Sequence, residues 1–363
     1  MSIMFSPLKI GPMTIKNRFM RSPVYEAMGN PDGTPKPQLL TLIEKLAKGQ
    51  VGLIIPGYVY SMESGKAAPK QCALYDQKHS DAWKPAIKKV HEQGSKLVFQ
   101  VCHGGIGVLP ELEKRSPSTF PGTYRGLSTS EIEDIINSYV KAASLAQKAG
   151  ADGVEIHGAH GYLYSLFLSP QFNLRSDKYG GSLENRARIV AETAEAIRKM
   201  AGPDFSILIK MNGNDFLPFG VTPDLASQYV NFLKGKIDMF EISCGISNVN
   251  AIIRTDRIRK LIKYTYDLNF SEAYNLSYAE LIKRKNPDTI VASVGGFRTF
   301  SAMEDAVASK KVDLVSLARP LIREPDLVKR MQKDRNTKSA CISCNHCLLF
   351  NGTDKHGTVC DYP

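Results

Sequence analysis

Short apolar, β-branched runs alternate with amphipathic stretches from one end of the chain to the other. Runs at residues 18–22, 51–55, 96–101, 152–156, 206–211, 237–242, 289–294 and 312–317 have the length and the largely apolar, β-branched character of strands. Between them the apolar period changes to that of a helix. In residues 36–48, Leu39, Leu40, Ile43 and Leu46 share one face. Further helices are predicted over 81–93, 130–148, 183–200, 223–234, 274–285, 300–310 and 325–333, with Gly150 as a stop after the third. Eight strands in alternation with eight helices predict an α/β fold of the closed (β/α)8 (TIM) barrel type. An open doubly wound sheet would instead carry a G-x-G-x-x-G turn after an early strand, and the first two runs have none. In a barrel the chemistry belongs just beyond the strand C-termini. Two connections there are long, 104–128 and 244–271, and are candidate substrate-covering loops.

Composition narrows the class. The 363 residues are 43% hydrophobic and 23% charged, which fits a soluble globular chain. The longest uncharged stretch, 156–174, contains His157, His160, Pro170, Gln171 and Asn173, too polar for a bilayer span, so no membrane association is expected. The net charge of +11 raises the question of nucleic acid. Only 254–263 is locally dense in positive charge, and it reads as a solvated helix face, so no nucleic-acid partner is expected. The first 20 residues show no secretory signal, and the chain reads as cytoplasmic.

The strand ends carry the candidate chemistry. His157, His160 and Tyr162 follow the fourth strand, where two imidazoles and a phenol can donate to a developing oxyanion and supply a proton. The alternative reading of the two histidines is a zinc pair, with Glu241 the one further ligand in view. Gly295 and Gly296 after the seventh strand, with Ala318 and Arg319 after the eighth, form the pattern of a phosphate cradle. Lys210 lies between Ile209 and Met211 on the fifth strand, and Gln100 lies on the third. A cation pointing into the barrel requires an anionic partner.

Four of the seven cysteines, Cys341, Cys344, Cys347 and Cys360, are spaced C-x2-C-x2-C-x12-C. In a cytosolic chain this indicates metal rather than disulfides, as either an iron–sulfur cubane or tetrahedral zinc. The chain therefore divides into a barrel, 1–335, and a short C-terminal cysteine-rich metal-binding extension, 336–363.

The run from Glu155-Ile-His-Gly-Ala-His-Gly-Tyr162 to Tyr179-Gly-Gly-Ser-Leu-Glu-Asn-Arg186 resembles the signature of the Old Yellow Enzyme family of FMN-dependent oxidoreductases. Residues 5–18, Gln100, Val294-Gly-Gly296 and Leu317-Ala-Arg-Pro-Leu321 extend the resemblance over residues 4–335. It implies FMN in the barrel mouth, with Ser22 and Pro23 along the ring, Gly57 and Gln100 at its pyrimidine side and Lys210 near N1. Gly295, Gly296, Ala318 and Arg319 would hold the phosphate. His157 and His160 would bind the substrate carbonyl, and Tyr162 would protonate carbon. The implied reaction passes hydride from NAD(P)H to the C=C bond of an enone or enoate. Two positions depart from the family: Tyr25 stands where relatives carry Thr or Cys and would face substrate, and His103-Gly-Gly lacks the Arg often found after this His. The cysteine spacing is similar to the trimethylamine dehydrogenase and 2,4-dienoyl-CoA reductase branch, which implies [4Fe–4S] with zinc as the alternative. That branch also supplies the competing reading, an amine dehydrogenase-like or electron-transfer subunit passing flavin electrons through the cluster to a partner chain. Homo-oligomerisation is the other association expected.

Overall fold

The computed structural model describes residues 2–246, 272–345, 347 and 357–360. The long connection expected after residue 244 falls almost wholly outside the described residues, and the basic run 254–263 wholly so. Eight described strands form the barrel: β1 Phe19–Arg21, β2 Leu53–Ile54, β3 Lys96–Cys102, β4 Gly153–Gly158, β5 Ser206–Asn212, β6 Met239–Ser243, β7 Val291–Val294 and β8 Leu314–Leu317. Each pairs in parallel with the next. The ring closes where β8 returns to β1, with Leu317 opposite Arg21. Around it run α1 Pro37–Lys48, α2 Gln77–Glu92, α3 Thr129–Ala149, α4 Leu183–Ala201, α5 Pro223–Leu233, α6 Leu276–Lys285, α7 Phe300–Ala308 and α8 Leu327–Lys333.

Local chemistry sets these boundaries. Helix α3 starts because the Ser128 hydroxyl accepts from Glu131 N–H while the Glu131 carboxylate accepts from Ser128 N–H. It stops at Gly150, whose φ of 92° closes the last turn. Strand β6 starts at Met239 rather than at the expected residue 237, because Asp238 turns its carboxylate to Ile207 N–H and Arg198.

The barrel interior is layered by the two-residue period of its strands. Met20, Leu53, Val98, Leu208, Met239, Ala292 and Leu314 point inward to form an apolar layer. Ile10, Met13 and Ile15 plug it from below, carried by an antiparallel hairpin of Leu8–Ile10 with Met13–Ile15. The strand-by-strand reading missed this hairpin, whose only signal is three residues either side of Gly11-Pro12. Burying each of the three is worth roughly 1.5–3 kcal/mol. Two residues further along the strands the inward positions turn polar, from Met20 to Ser22, Val98 to Gln100, Leu208 to Lys210, Met239 to Glu241 and Leu314 to Ser316. The floor of the mouth is therefore charged while the plug beneath it is dry.

Candidate active site

The polar layer is a connected network. Glu241 is fully buried, and its Oε1 accepts from Ser22 Oγ at 2.7 Å and Ser316 Oγ at 2.6 Å. Lys210 Nζ lies 3.3 Å from Glu241 Oε2 and donates to Ser22 Oγ at 2.7 Å. The cation on β5 thus has the anionic partner that its burial demands, one strand away in direct register. Gln100 Nε2 donates to Glu155 Oε2 at 3.1 Å, again across directly paired positions. Burial first, and then the Glu241 charge, push the Glu155 carboxyl well above the usual range, which favours its protonated form. Beside this network Arg21 and Glu26 form a buried pair at 2.8 Å, and both Glu26 oxygens accept from Gly57 N–H.

Above this floor stand the residues that follow β4. The His157 and His160 rings meet edge-on at 5.3 Å, and the Tyr162 ring lies 4.8 Å from His157. His157 Nδ1 accepts from Ala159 N–H, a tautomer that leaves the hydrogen on Nε2. Burial, followed by the nearby His160 and Lys210 charges, holds His157 well below the usual imidazole range. Burial and Lys210 hold His160 down to about 3. Both shifts favour the neutral imidazole over the charged form. His160 takes a left-handed backbone, φ 66°, fixed by its N–H on Asn212 Oδ1 and by a 2.7 Å contact between its Nε2 and Ser243 Oγ. Burial raises the Tyr162 phenol, whose OH donates to Tyr58 OH at 3.0 Å. Tyr25 OH accepts from Lys70 N–H, and the Tyr25 ring lies 6.2 Å from that of Tyr58.

A second recess is lined by Tyr274, Gly295, Gly296, Arg298, Arg319 and Ser343 among others. Gly295 and Gly296 have φ of 137° and 77°, a succession that turns the backbone in a way residues with a Cβ rarely allow. Two guanidiniums around such a turn are a donor set suited to a phosphate monoester. Adjoining it, and sharing Arg319 and Ser343, lies a recess lined by Cys341, Cys344, Cys347, Cys360 and Arg323. Burial first, then Cys341, raises the Cys347 thiol to about 11. All seven cysteines are unbridged.

The structure brings the expected residues together at one end of the barrel. The zinc-pair reading of His157 and His160 is corrected: Glu241 is committed to Ser22, Ser316 and Lys210. Among the described residues no three His, Cys, Asp or Glu are grouped to hold a metal ion. Gly57 is in the mouth, but its N–H is taken by Glu26. Sequence reasoning missed Glu155, Arg21, Glu26 and Tyr58. The period-2 continuation of the inward-facing strand positions could have found Glu155, whereas no motif marks Tyr58.

A parallel barrel with a buried cation at its floor, imidazoles at the rim and a glycine turn and arginine after β7 and β8 is suited to a phosphate-bearing ligand bound at the strand C-termini. The chain belongs to the NADH:flavin oxidoreductase / NADH oxidase family, whose model matches residues 3–338; this is the Old Yellow Enzyme family that the resemblance implied. It is 32% identical over 355 residues to an NADH oxidase of Thermoanaerobacter brockii, covering 94% of this chain and 52% of that protein. It is 31% identical over 343 residues to an NADPH dehydrogenase of Clostridium acetobutylicum, covering 92% of this chain and 95% of that one. The solved structure of a 2-naphthoyl-CoA reductase with 2-naphthoyl-CoA has the same fold, at TM-score 0.86 and 24% identity, covering 99% of this chain and 56% of that chain. The chain thus spans about half the length of some relatives and nearly all of others. Among the described residues no helix is long and apolar enough to cross a membrane.

Proposed function

We propose that the chain is an FMN-dependent oxidoreductase that uses NAD(P)H to reduce the C=C bond of a small α,β-unsaturated carbonyl compound. The observation that carries this reading is the rim of neutral His157 and His160 beside the Tyr162 phenol, above a floor holding Lys210. Bound FMN supplies the site where hydride is accepted from the nicotinamide and from which it is delivered. Ser22, Pro23, Gln100 and Lys210 would flank the ring, and Gly57 would border it as a wall rather than as a donor. Gly295, Gly296, Ala318 and Arg319 would hold the phosphate. His157 donates to the substrate oxygen, with His160 beside it, so negative charge that develops there is met by N–H groups without proton transfer. Tyr162 gives its proton to the α-carbon, and Tyr25 limits the size of the substrate. Neutral imidazoles suit this division of labour, since an imidazolium would hand its proton to oxygen.

Among the described residues the four cysteines line one recess without being grouped into a ligand set, and it is their C-x2-C-x2-C-x12-C spacing that supports a metal cofactor in the extension. An all-thiolate donor set flanked by Arg319 and Arg323 suits an iron–sulfur cubane, with tetrahedral zinc as the alternative. Iron and acid-labile sulfide in equal amounts, both lost in Cys344→Ser, are expected; one zinc and no sulfide would replace that reading. Because the thiol recess shares Arg319 and Ser343 with the phosphate cradle, a second reading has electrons leaving through the cluster to a partner chain. Unbridged cysteines and a pyridine-nucleotide reductant suit the cytoplasm. Anaerobic stopped-flow on FMN-loaded protein tests the main reading: NADH or NADPH should bleach the flavin and 2-cyclohexenone should restore it. Bleaching by amines and not by either nucleotide would reverse the order of the two readings.

A further inference from the structure

Tyr58 follows the second strand and accepts a hydrogen bond from the Tyr162 hydroxyl at 3.0 Å. Its ring lies 5.3 Å from that of Tyr162, 5.9 Å from that of His157 and 6.2 Å from that of Tyr25, at the centre of the aromatic rim. The backbone fixes it there. Tyr58 O accepts from Gln71 Nε2, and the next residues, Val59 and Tyr60, pair with Val101 and Cys102 at the end of β3. Tyr58 and Tyr162 each keep a minor part of their surface exposed, so the pair is largely buried without being sealed from solvent.

Resting on the enone-reductase reading above, we propose that Tyr58 is a positioning and proton-relay residue that keeps Tyr162 charged with a proton. When Tyr162 protonates the α-carbon, a C–H bond forms, the Tyr162 O–H bond breaks and negative charge is left on a phenolic oxygen away from bulk water. Burial makes that phenolate costly, as the upward shift of both phenols shows. Tyr58 is placed to reverse the hydrogen bond. Its O–H breaks as the Tyr162 O–H reforms, and a solvent proton then returns to Tyr58 from its exposed part. No electrons move in this relay, and the net proton consumed is the one that C=C reduction requires.

The test uses FMN-loaded protein and separates the two half-reactions. Tyr58→Phe keeps the ring and removes the relay. Flavin reoxidation by 2-cyclohexenone should slow roughly 10–100-fold, the worth of one hydrogen bond to a charged group. Reduction by NAD(P)H should stay within about twofold, which also reports that the protein is folded and loaded. The solvent deuterium isotope effect on reoxidation should rise in Tyr58→Phe, a change that a packing role would not produce. The Tyr58→Phe/Tyr162→Phe double variant should be no slower than Tyr162→Phe alone, because two members of one relay are not additive. If Tyr162→Phe is slow and Tyr58→Phe reoxidises normally, the relay is wrong and the enone-reductase reading stands. If Tyr162→Phe itself reoxidises normally, both fall. Equal slowing of the two half-reactions in Tyr58→Phe also overturns the relay.

Discussion

Replacing Glu26 by Ala should cost the protein a large share of its stability. The Arg21 and Glu26 side chains are 1% and 6% exposed and meet at 2.8 Å, so each charge depends on the other. Removing the carboxylate leaves a buried guanidinium without its counter-charge, a loss of about 3–5 kcal/mol. Gly57 N–H loses both of its acceptors, about 1–3 kcal/mol more, and the two losses overlap. A total near 5 kcal/mol is expected for Glu26→Ala. Glu26→Gln keeps an acceptor for Gly57 but not the charge that Arg21 needs, and should lose about 3 kcal/mol, less than Glu26→Ala. The double variant Arg21→Met/Glu26→Leu removes both charges together and should return to within about 2 kcal/mol of the parent. Urea unfolding of the FMN-free protein, followed by fluorescence of the chain's single tryptophan, the buried Trp83, gives all three values. A Glu26→Ala loss under about 1 kcal/mol, or a double variant as weak as Glu26→Ala, would refute the charge-pair reasoning.

Gly295→Ala places a Cβ 2.7 Å from Tyr274 Cε2 at a φ of 137°, so FMN affinity should fall roughly 5–100-fold for a strain of about 1–3 kcal/mol, measured by quenching of flavin fluorescence. His157→Ala should weaken binding of phenols, which mimic an enolate oxygen, by roughly tenfold or more in a flavin absorbance titration; unchanged phenol affinity would contradict its role at the substrate oxygen. His103 is 1% exposed and burial holds it down to about 3, so it is neutral in the fold but takes up a proton in the unfolded chain below about pH 6.5. Its contribution is complete above pH 6.5 and is lost as pH falls toward 3, by about 1.4 kcal/mol per pH unit, and His103→Asn should flatten the urea stability profile by one proton's slope in that window.

The alternation of strands and helices was legible because the barrel strands are mostly buried on both faces and read as short, largely apolar runs, as in residues 206–211, where Ser206 and Lys210 are the exceptions. The strand-end histidines, Lys210 and the Gly295-Gly296 turn were legible because each sits next to its own strand in the chain. What escaped depends on which strands lie side by side. The bond from Gln100 to Glu155 joins residues 55 positions apart, and the bond from Ser22 to Glu241 joins residues 219 apart. Neither partner shows its need locally. Tyr58 escaped for the same reason, since Tyr162, its partner, is 104 positions away.

The extension reaches back to the beginning of the barrel. Thr358 N–H donates to Glu26 O at 2.7 Å, and Thr358 Oγ1 donates to Tyr25 O at 2.6 Å, across 333 positions of sequence. Synthesis runs from N-terminus to C-terminus, so the wall that carries Tyr25 is made long before Thr358, and these two hydrogen bonds can form only once that residue has emerged. A nascent chain stalled before residue 358 therefore holds every residue of the strand ring but lacks the two bonds that tie the extension to the backbone of Tyr25 and Glu26.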